Sequence, residues 1–290
     1  MILVTGATGT VGREVVRCLP PDVPVRLLTR DPARLTASTP SAEVVTGDYA
    51  DPGTLRRALR GVRRAFLVTN WVTRDSDAAF LRAARAEGVE QVVKLSAAAV
   101  ADEGADDLIT RWQRTNEALL RDSGMAWTLL RPRAFMSNCM SWAPSIRSRG
   151  VVSALYGTSV NACIDPRDIA AVAVRALTED GHEGRVYTLT GPRAISAVEQ
   201  TEQLGRVLGR PLRFEELTEE QARAHLSRRH PEELVEALLS SARRQMAGAK
   251  ARVENTVAEV TGRPARTFAE WAHDHAHAFA SLAGAPGERG

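Results

Sequence analysis

The chain is poor in cysteine and in net charge, and each shortage excludes a class of protein. Its three cysteines, Cys18, Cys139 and Cys163, lie far apart without CxxC spacing, which indicates free thiols of a reducing cytoplasm rather than a disulfide framework or a zinc site. A net charge of +3, carried by scattered arginines, is too small and diffuse for a nucleic-acid surface. No apolar run approaches the ~18 residues of a membrane span, and the N-terminus lacks a signal-peptide pattern. We therefore expect a cytoplasmic protein with no nucleic-acid or membrane partner.

What the chain does contain is an alternation of short apolar runs and helical patterns over roughly its first 130 residues. The runs are rich in Val, Ile and Leu and do not alternate with polar residues, which is typical of parallel strands buried on both faces. They comprise residues 2–5, 25–28, 43–46, 65–69, 91–96 and 127–130. Strand–helix repetition of this kind predicts an α/β fold with a doubly wound parallel sheet.

The strongest motif is a glycine-rich loop that follows the first apolar run and opens a helix, Val4-Thr5-Gly6-Ala7-Thr8-Gly9-Thr10-Val11-Gly12. In such a loop Gly6 allows the tight turn, Gly9 lets the backbone approach a pyrophosphate, and Gly12 lets the helix pack closely on the sheet. The start of the helix offers unpaired N–H groups and a positive dipole end to phosphates. We therefore predict a Rossmann-type dinucleotide site that uses Gly6, Thr8, Gly9, Thr10, Val11 and Gly12.

The tip of the second predicted strand bears on the choice between NADP(H) and NAD(H). Arg30 stands where NAD enzymes carry an acid for the ribose 2′-OH, and an arginine there accommodates the 2′-phosphate of NADP. Arg34, one turn further on, is placed to assist. The sequence favours NADP(H) over NAD(H), and the other interpretation of Arg30 is a solvated surface charge.

Polar residues also end the third and fourth predicted strands, where the ligand crevice of a doubly wound sheet lies. Asp48 could accept from the adenine amino group, or it could serve as a turn or helix-capping residue before Pro52. We assign Asp48, Tyr49, Thr69 and Asn70 to cofactor binding.

The alternation of strand and helix patterns ends after Arg131. Residues 132–163 hold Pro, Gly, Trp, Phe and Met without a clear period, as a loop-rich substrate region would. Three capping boxes then start helices: Ser196…Glu199, Thr218…Gln221 and Thr267…Glu270. We expect a dinucleotide-binding domain of residues 1–131, to which a strand and helix in 160–178 return, and a smaller, mainly helical substrate-binding region of residues 132–159 and 179–290.

These features resemble the atypical short-chain dehydrogenase/reductase superfamily, specifically its NmrA-like branch with quinone oxidoreductase relatives. The resemblance covers nearly the whole chain. Besides the glycine loop it rests on Leu28-Thr29-Arg30-Asp31-Pro32, Gly47-Asp48, Val93-Lys94-Leu95-Ser96, Thr128-Leu129-Leu130-Arg131-Pro132, Phe135-Met136-Ser137-Asn138, Asp165-Pro166-Arg167-Asp168-Ile169-Ala170, Thr261-Gly262-Arg263-Pro264 and Thr267-Phe268-Ala269-Glu270. It implies NAD(P)H binding, in a branch that mixes reductases with cofactor-binding regulators.

The superfamily's catalytic pair is missing from the helix after the fifth strand. Reductases of the superfamily carry Tyr-x-x-x-Lys there, and the i,i+4 spacing puts both residues on one helical face. In this chain the pair falls on Trp112 and Asn116, within a predicted apolar stripe of Leu108, Ile109, Leu119 and Leu120. Neither Trp112 nor Asn116 donates a tyrosine-type proton, so we assign both to packing and to positioning on the catalytic face. In another register of the helix, Tyr156 becomes the leading candidate acid.

Two residues of the fifth strand complete the predicted catalytic face. Ser96 matches the position of the superfamily's catalytic serine, or is an ordinary strand-end hydroxyl. Lys94 interrupts a strand that should be buried on both faces. Its ammonium either reaches the crevice beside the nicotinamide or extends into solvent at an edge.

Aromatic residues make up only 5% of the chain, yet several fall in the loops predicted to border the crevice. A flat aromatic substrate would stack on such a wall, although the same residues would also suit a loop core. The predicted substrate-binding residues are Trp71, Arg133, Phe135, Met136, Asn138, Trp142 and Tyr156. His273 and His277 share a helical face without an evident third ligand, so we expect no metal.

Residues and resemblance together favour an NAD(P)H-dependent reductase of a quinone-type, polycyclic aromatic substrate. A quinone needs no strong acid, because its reduced oxygen is a weakly basic phenolate and cofactor orientation lowers much of the barrier. The resemblance extends to reductases of bacterial aromatic polyketide pathways, which implies a separate small oxygenase partner for the reduced ring. The alternatives are a catalytically inactive NADP(H)-binding redox sensor and a reductase of imines or polarised alkenes.

Overall fold

The computed structural model describes residues 1–35, 42–69, 72 and 75–280, which form two units. The first unit consists of the described residues of Met1–Arg133 together with Pro166–Thr190 and Glu254–Ala265. The second consists of Ala134–Asp165, Gly191–Val253 and residues 266–280. Asn70 and Trp71, predicted to bind cofactor and substrate, lie outside the described residues.

The described strands and helices alternate through the first unit as the sequence predicts. The strands are β1 (Ile2–Thr5), β2 (Val25–Thr29), β3 (Glu43–Thr46), β4 (Arg64–Leu67), β5 (Gln91–Leu95), β6 (Ala126–Pro132), β7 (Val151–Ala154), β8 (Val160–Asn161), β9 (Arg185–Leu189), β10 (Ile195–Ser196) and β11 (Arg213–Glu216). The α-helices are α1 (Thr10–Cys18), α2 (Pro52–Leu59), α3 (Ser76–Ala86), α4 (Leu108–Arg121), α5 (Ala143–Arg149), α6 (Pro166–Thr178), α7 (Ala197–Val207), α8 (Glu219–Leu226), α9 (Glu232–Met246), α10 (Thr256–Thr261), α11 (Phe268–Asp274) and α12 (Ala276–Phe279).

The first unit is built on a parallel sheet whose strand order, over the described residues, is β3-β2-β1-β4-β5-β6-β9. The order reverses direction between β1 and β4, which is the topological switch point of a doubly wound sheet. The predicted Rossmann-type α/β fold is thereby confirmed.

The last strand of this sheet changes the division of the chain. β9 pairs in parallel with β6, from Thr128 opposite Arg185 to Pro132 opposite Leu189. The main-chain hydrogen bonds of this pairing cover what would otherwise be an open edge of β6. Residues 179–190 and 254–265, which the sequence analysis placed in the substrate region, therefore lie in the first unit.

Helices cover both faces of the sheet. Residues of α2, α3 and α4 share one apolar core with one face of the strands, which includes Leu55, Phe80, Leu120 and, from the sheet, Leu3 and Val92. Helices α1 and α6 pack against each other on the other face. The edge strand β3 departs from the expected burial, because its Val44 is 42% exposed.

The second unit is mainly helical, with two small sheets in which β8 pairs with β10 and β7 with β11. All three predicted capping boxes are present, at the starts of α7, α8 and α11. The core of the unit gathers Cys139, Cys163, Phe268, Trp271 and Phe279.

Two cysteines of this core, Cys139 and Cys163, and the neighbouring His275 have structural roles. None of the three cysteines, all in the described part of the chain, is in a disulfide. Burial raises the pKa of Cys139 and raises that of Cys163 to about 11, so both stay protonated thiols at neutral pH. His275 stacks on Trp271 with ring centroids 4.5 Å apart, and its Nδ1 lies 2.7 Å from the Trp271 carbonyl oxygen.

Across the ranges that the structure describes, no helix has both the length and the apolar character of a membrane span.

Candidate cofactor site and catalytic face

The glycine loop after β1 is a tight turn that leaves the start of α1 without a side-chain cap. Gly6 adopts a left-handed φ of +63°, and the Gly9 N–H closes the turn on the Gly6 carbonyl at 2.8 Å. A Cβ on Gly12 would lie 2.1 Å from that carbonyl oxygen, so no other residue fits there. A Cβ on Gly9 would meet only the Gly6 oxygen, at 3.2 Å, so the protein itself leaves space beside Gly9. This cradle fits the pyrophosphate of a dinucleotide.

The remaining loop residues divide by exposure. Thr8 is half-buried and its carbonyl accepts from Arg13 at 3.2 Å. Thr10 is exposed at the first position of α1, whereas the Val11 side chain is buried in the core. Val11 therefore offers a ligand its backbone N–H rather than its side chain.

The tip of β2 presents arginine rather than an acid. Asp31 uses Oδ1 to accept from the Ala33 N–H at 3.1 Å, which caps the short 3₁₀ helix Pro32–Arg34. Arg30 and Arg34 are both exposed beside this cap. The capping role of Asp31 supports the assignment of Arg30, rather than the acid next to it, to the cofactor.

The end of β3 gives two predicted cofactor residues local contacts. Asp48 accepts from the Ala50 N–H at 2.9 Å in a turn, while Asp51 caps α2 through the Gly53 N–H at 2.9 Å. The Tyr49 hydroxyl donates to the Val68 carbonyl at 2.8 Å, and burial raises the pKa of Tyr49. These contacts give Asp48 a turn role and Tyr49 a packing role, and their contacts with a cofactor stay predictions.

Lys94 lies in a buried polar cluster at the ends of β4 and β5. Its Nζ is 2.5 Å from Asp77 Oδ1, and the Thr69 hydroxyl donates to Asp77 Oδ2 at 2.6 Å. The Trp112 ring centroid is 5.9 Å from Nζ. Lys94 is fully buried, so the structure corrects both expectations for it: the ammonium neither extends at an edge nor lies open to a ligand. A buried ammonium requires a counter-charge, and Asp77 in the first turn of α3 supplies it.

A second buried cluster follows at the ends of β5 and β6. Glu117, in α4, is fully buried and binds Arg131 in two places, Oε1 to Nε at 2.9 Å and Oε2 to Nη2 at 2.5 Å. The Ser96 hydroxyl lies 2.6 Å from Glu117 Oε1. Sequence reasoning missed Glu117 and Arg131, although a buried position for Glu117 follows from its place one turn after Gln113 on the inner face of α4.

The inner face of α4 differs from the predicted apolar stripe. The buried positions are Thr110, Gln113, Asn116, Glu117 and Leu120. Leu119, assigned to the inner face, is 40% exposed. The prediction was wrong because apolar character does not mark the inner face of this helix: Arg131 on β6 and the Ser96 hydroxyl after β5 stabilise the buried Glu117 there.

The two residues at the positions of the missing pair lie on or beside this face. Asn116 is buried, and its Nδ2 has no hydrogen-bond partner among the described residues. Trp112 is half-buried over Lys94. Neither is a proton donor of the tyrosine type, and each stays a predicted positioning residue.

The predicted substrate residues have varied surroundings. Arg133, half-buried, ends the first segment of the first unit. In the second unit Phe135 and Trp142 are half-buried and Asn138 is exposed. Met136 is 1% exposed within the apolar core, so the structure corrects its predicted place on a substrate wall.

Tyr156 is held in a strained turn by charged partners. Its φ of 51° is left-handed, and its hydroxyl donates to Glu219. Arg243, at 2.6 Å, and the Tyr156 hydroxyl together lower the pKa of Glu219 to about 2. The same hydrogen bond raises the pKa of Tyr156, which makes it a poor acid at neutral pH.

Comparison with known proteins agrees with the loop and the sheet. The family described as NAD(P)H-binding matches residues 6–180. The chain is 59% identical over 280 residues to the (4-alkanoyl-5-oxo-2,5-dihydrofuran-3-yl)methyl phosphate reductase of Streptomyces griseus, across 97% of this chain and 99% of that protein. It is 41% identical to the NAD(P)H azoreductase of Xenophilus azovorans, across 96% of this chain and 99% of that protein.

A solved structure gives the same result for the fold. The NADPH-dependent quinone oxidoreductase of Escherichia coli, in complex with NADPH, superposes with a TM-score of 0.82 at 30% identity, over 94% of this chain and 99% of that one. These relatives are named as reductases or oxidoreductases, in agreement with an enzyme rather than an inactive redox sensor. The chain therefore belongs to the NAD(P)H-binding family and is an NAD(P)H-dependent reductase of the quinone oxidoreductase and azoreductase type.

Proposed function

We propose that the enzyme reduces the ring double bond of a (4-alkanoyl-5-oxo-2,5-dihydrofuran-3-yl)methyl phosphate with NADPH. The observation that carries this proposal is the 59% identity, along almost the whole of both chains, to the Streptomyces griseus reductase that is named for this compound. The substrate belongs to the polarised alkenes that the sequence left open as an alternative.

The chemistry of this substrate suits a catalytic face without a tyrosine. NADPH, when bound, supplies a hydride, and the ring carbon that bears the phosphomethyl group is the electrophilic end of the double bond. The negative charge then spreads over the lactone and alkanoyl carbonyls, and a proton from water at the neighbouring carbon completes the saturated ring. Because such a delocalised anion is a weak base, it needs little help from a general acid.

The residues at the catalytic face agree with this requirement. Trp112 and Asn116 carry no titratable proton in the neutral range. The Ser96 hydroxyl is engaged by the buried Glu117 carboxylate at 2.6 Å. These residues therefore orient the reactants and leave protonation to water.

The test measures NADPH oxidation by the purified protein with the synthetic phosphate, and identifies the product by mass spectrometry and NMR. We expect stoichiometric saturation of the ring, with deuterium from NADPH labelled at the nicotinamide C4 hydride position appearing at the carbon that bears the phosphomethyl group. The dephosphorylated lactone is the matched substrate, and a higher KM is expected for it. NADPH binding without any turnover of the phosphate would refute the proposal.

A quinone-type, polycyclic aromatic ring is the second candidate, favoured by the likeness to the Escherichia coli quinone oxidoreductase. The same reasoning applies, since the reduced ring leaves as a weakly basic phenolate. Menadione and a hydroxyanthraquinone in the same assay distinguish the two classes by kcat/KM. A separate oxygenase that uses the reduced ring is part of this second candidate, and its test is a hydroxylated product that forms only when both proteins are present.

A further inference from the structure

The contacts of Ser96 define the direction of its hydrogen bond. Ser96 directly follows β5, is buried, and has its backbone N–H on the Leu130 carbonyl at 2.7 Å. Its hydroxyl meets Glu117 Oε1, the oxygen that also accepts from Arg131 Nε at 2.9 Å. The other carboxylate oxygen accepts from Arg131 Nη2 at 2.5 Å and lies 3.3 Å from Arg121 Nη2.

Both oxygens of Glu117 are therefore acceptors. Guanidinium groups only donate, so neither carboxylate oxygen carries a hydrogen to give to Ser96. The hydroxyl of Ser96 must donate to Glu117. A serine hydroxyl has a single hydrogen, so toward any further group Ser96 can act only as an acceptor. Ser96 thus cannot be the acid of the reaction while Glu117 holds it.

The position of Ser96 in the sheet indicates which ligand group it meets. The glycine loop follows β1, Arg30 follows β2, and the strand order continues from β1 through β4 to β5. A dinucleotide that binds across this switch point has one half over β1–β3 and the other over β4–β6. At about 4.8 Å between strands, Ser96 lies roughly 10 Å from β1, within the reach of the nicotinamide half.

We infer that Glu117 is a positioning residue that holds the Ser96 hydroxyl as an acceptor for an N–H or O–H group of the nicotinamide half of the cofactor. The carboxamide N–H and the ribose hydroxyls are the donors of that half. Asn116, the neighbour of Glu117 on α4, is also buried, and its Nδ2 has no partner among the described residues.

The test measures the NADPH dissociation constant by fluorescence titration, without substrate, so that it does not depend on the proposed substrate. Ser96→Ala is expected to weaken NADPH binding by about two- to tenfold, the loss of one neutral hydrogen bond. Glu117→Gln is expected to weaken it at least as much. With its NH₂ toward Ser96, the amide keeps its oxygen on Arg131 Nη2 and loses the bond from Arg131 Nε, and the serine hydrogen reverses toward the ligand's donor.

The double variant separates positioning from a merely structural role. If Glu117 acts through Ser96, then Ser96→Ala/Glu117→Gln binds NADPH as Ser96→Ala does, because no hydroxyl remains to reorient. Thermal unfolding of each variant is measured alongside, and loss of stability from the altered Arg131 pair does not by itself change the NADPH affinity of folded protein.

Two control variants match the changes. Thr128→Val removes another buried hydroxyl, which donates to the His182 carbonyl at 2.7 Å in the middle of β6, and should leave NADPH affinity within twofold. Arg121→Gln perturbs the same Glu117 carboxylate without touching Ser96, and should do likewise. Wild-type affinity in Ser96→Ala, or additive losses in the double variant, would overturn the inference. If Glu117→Gln does not fold, Ser96→Ala against Thr128→Val still decides whether the hydroxyl binds the cofactor.

Discussion

The carboxyl edge of the sheet is built in two different ways on the two sides of its switch point. On the side of β1–β3 the site consists of backbone and turn residues: the loop around Gly6, the uncapped start of α1 and the exposed Arg30. On the side of β4–β6 it rests on two buried charge clusters, Lys94 with Asp77 and Glu117 with Arg131. The first side is predicted to bind phosphates through backbone N–H groups and one exposed arginine, whereas the second depends on charged side chains from different elements that pair with each other.

The two sides also differ in what a substitution costs. Removing one partner of a buried ion pair leaves an uncompensated charge in a region of low dielectric constant, which costs about 3–5 kcal/mol. Removing a side chain from an exposed turn costs little stability and acts on binding alone. The predictions below use this difference, from the largest expected effect to the smallest.

Gly12→Val is expected to abolish NADPH binding. Its Cβ would lie 2.1 Å from the Gly6 carbonyl oxygen, so the loop must open. Gly9→Ala is the matched change, since its Cβ meets that oxygen at 3.2 Å, a tight contact that a shift of a few tenths of an ångström relieves. Any loss of NADPH affinity in Gly9→Ala then reports the approach of the cofactor itself. Calorimetric titration with NADPH measures both, with circular dichroism to confirm folding, and tight binding by Gly12→Val would show that phosphates do not use this loop.

Lys94→Met is expected to lower the free energy of unfolding by about 3–5 kcal/mol, because Asp77 stays buried without its counter-charge. Lys94→Met/Asp77→Asn should recover most of this loss, since the amide still accepts from Thr69 without carrying a charge. Urea unfolding measures both variants.

Arg63→Met is the control for this change, since it breaks an exposed pair with Glu90 at 2.8 Å and should leave stability nearly unchanged. Equal stability of Lys94→Met and wild type would mean that Lys94 is not needed as a counter-charge in the fold. Stability unchanged but activity lost would return Lys94 to the catalytic role that the sequence suggested.

The same contrast explains how much could be read from the sequence. Apolar runs, the glycine loop and capping boxes are local patterns, so the sheet, the first two helices and the helix starts at Ser196, Thr218 and Thr267 follow from them directly. The partners of Lys94 and Ser96 lie 17 and 21 residues away on other elements, and no local pattern connects them.

The errors on α4 have the same cause. An apolar stripe predicts the inner face of a helix well where the hydrophobic effect drives burial, and it placed Leu120 correctly on that face. It failed for Glu117, which is buried because Arg131 on β6 neutralises its carboxylate. It also failed for Leu119, which is 40% exposed. The one signal in the sequence for a buried acid near β4–β6 was Lys94, because a lysine on a buried strand requires a counter-charge.

Trp112→Phe and Asn116→Ala are each expected to lower kcat by less than about a hundredfold, the lower edge of general acid–base contributions. Neither residue supplies a proton, so what is lost is packing over Lys94 in one case and a buried amide in the other. Steady-state kinetics with the preferred acceptor, together with the NADPH dissociation constant, measures this. A loss above roughly a thousandfold with intact folding and NADPH affinity would mean that one of them takes part in proton transfer.

Arg30→Ala should have the smallest effect, confined to the choice of cofactor. The guanidinium at the tip of β2 is exposed, and Asp31 beside it is engaged as the cap of Pro32–Arg34, so a 2′-phosphate meets a cation there. A charge-assisted contact contributes about 1.5–3 kcal/mol, so the preference for NADPH over NADH should fall about tenfold or more, while NADH affinity stays constant. Arg56→Ala, on the exposed surface of α2, controls for the loss of one positive charge. Higher ionic strength should weaken NADPH binding to wild type more than to Arg30→Ala, because only the former retains the ion pair. Equal wild-type affinities for the two dinucleotides would mean that Arg30 is a solvated surface residue that does not contact the 2′-phosphate of the ribose.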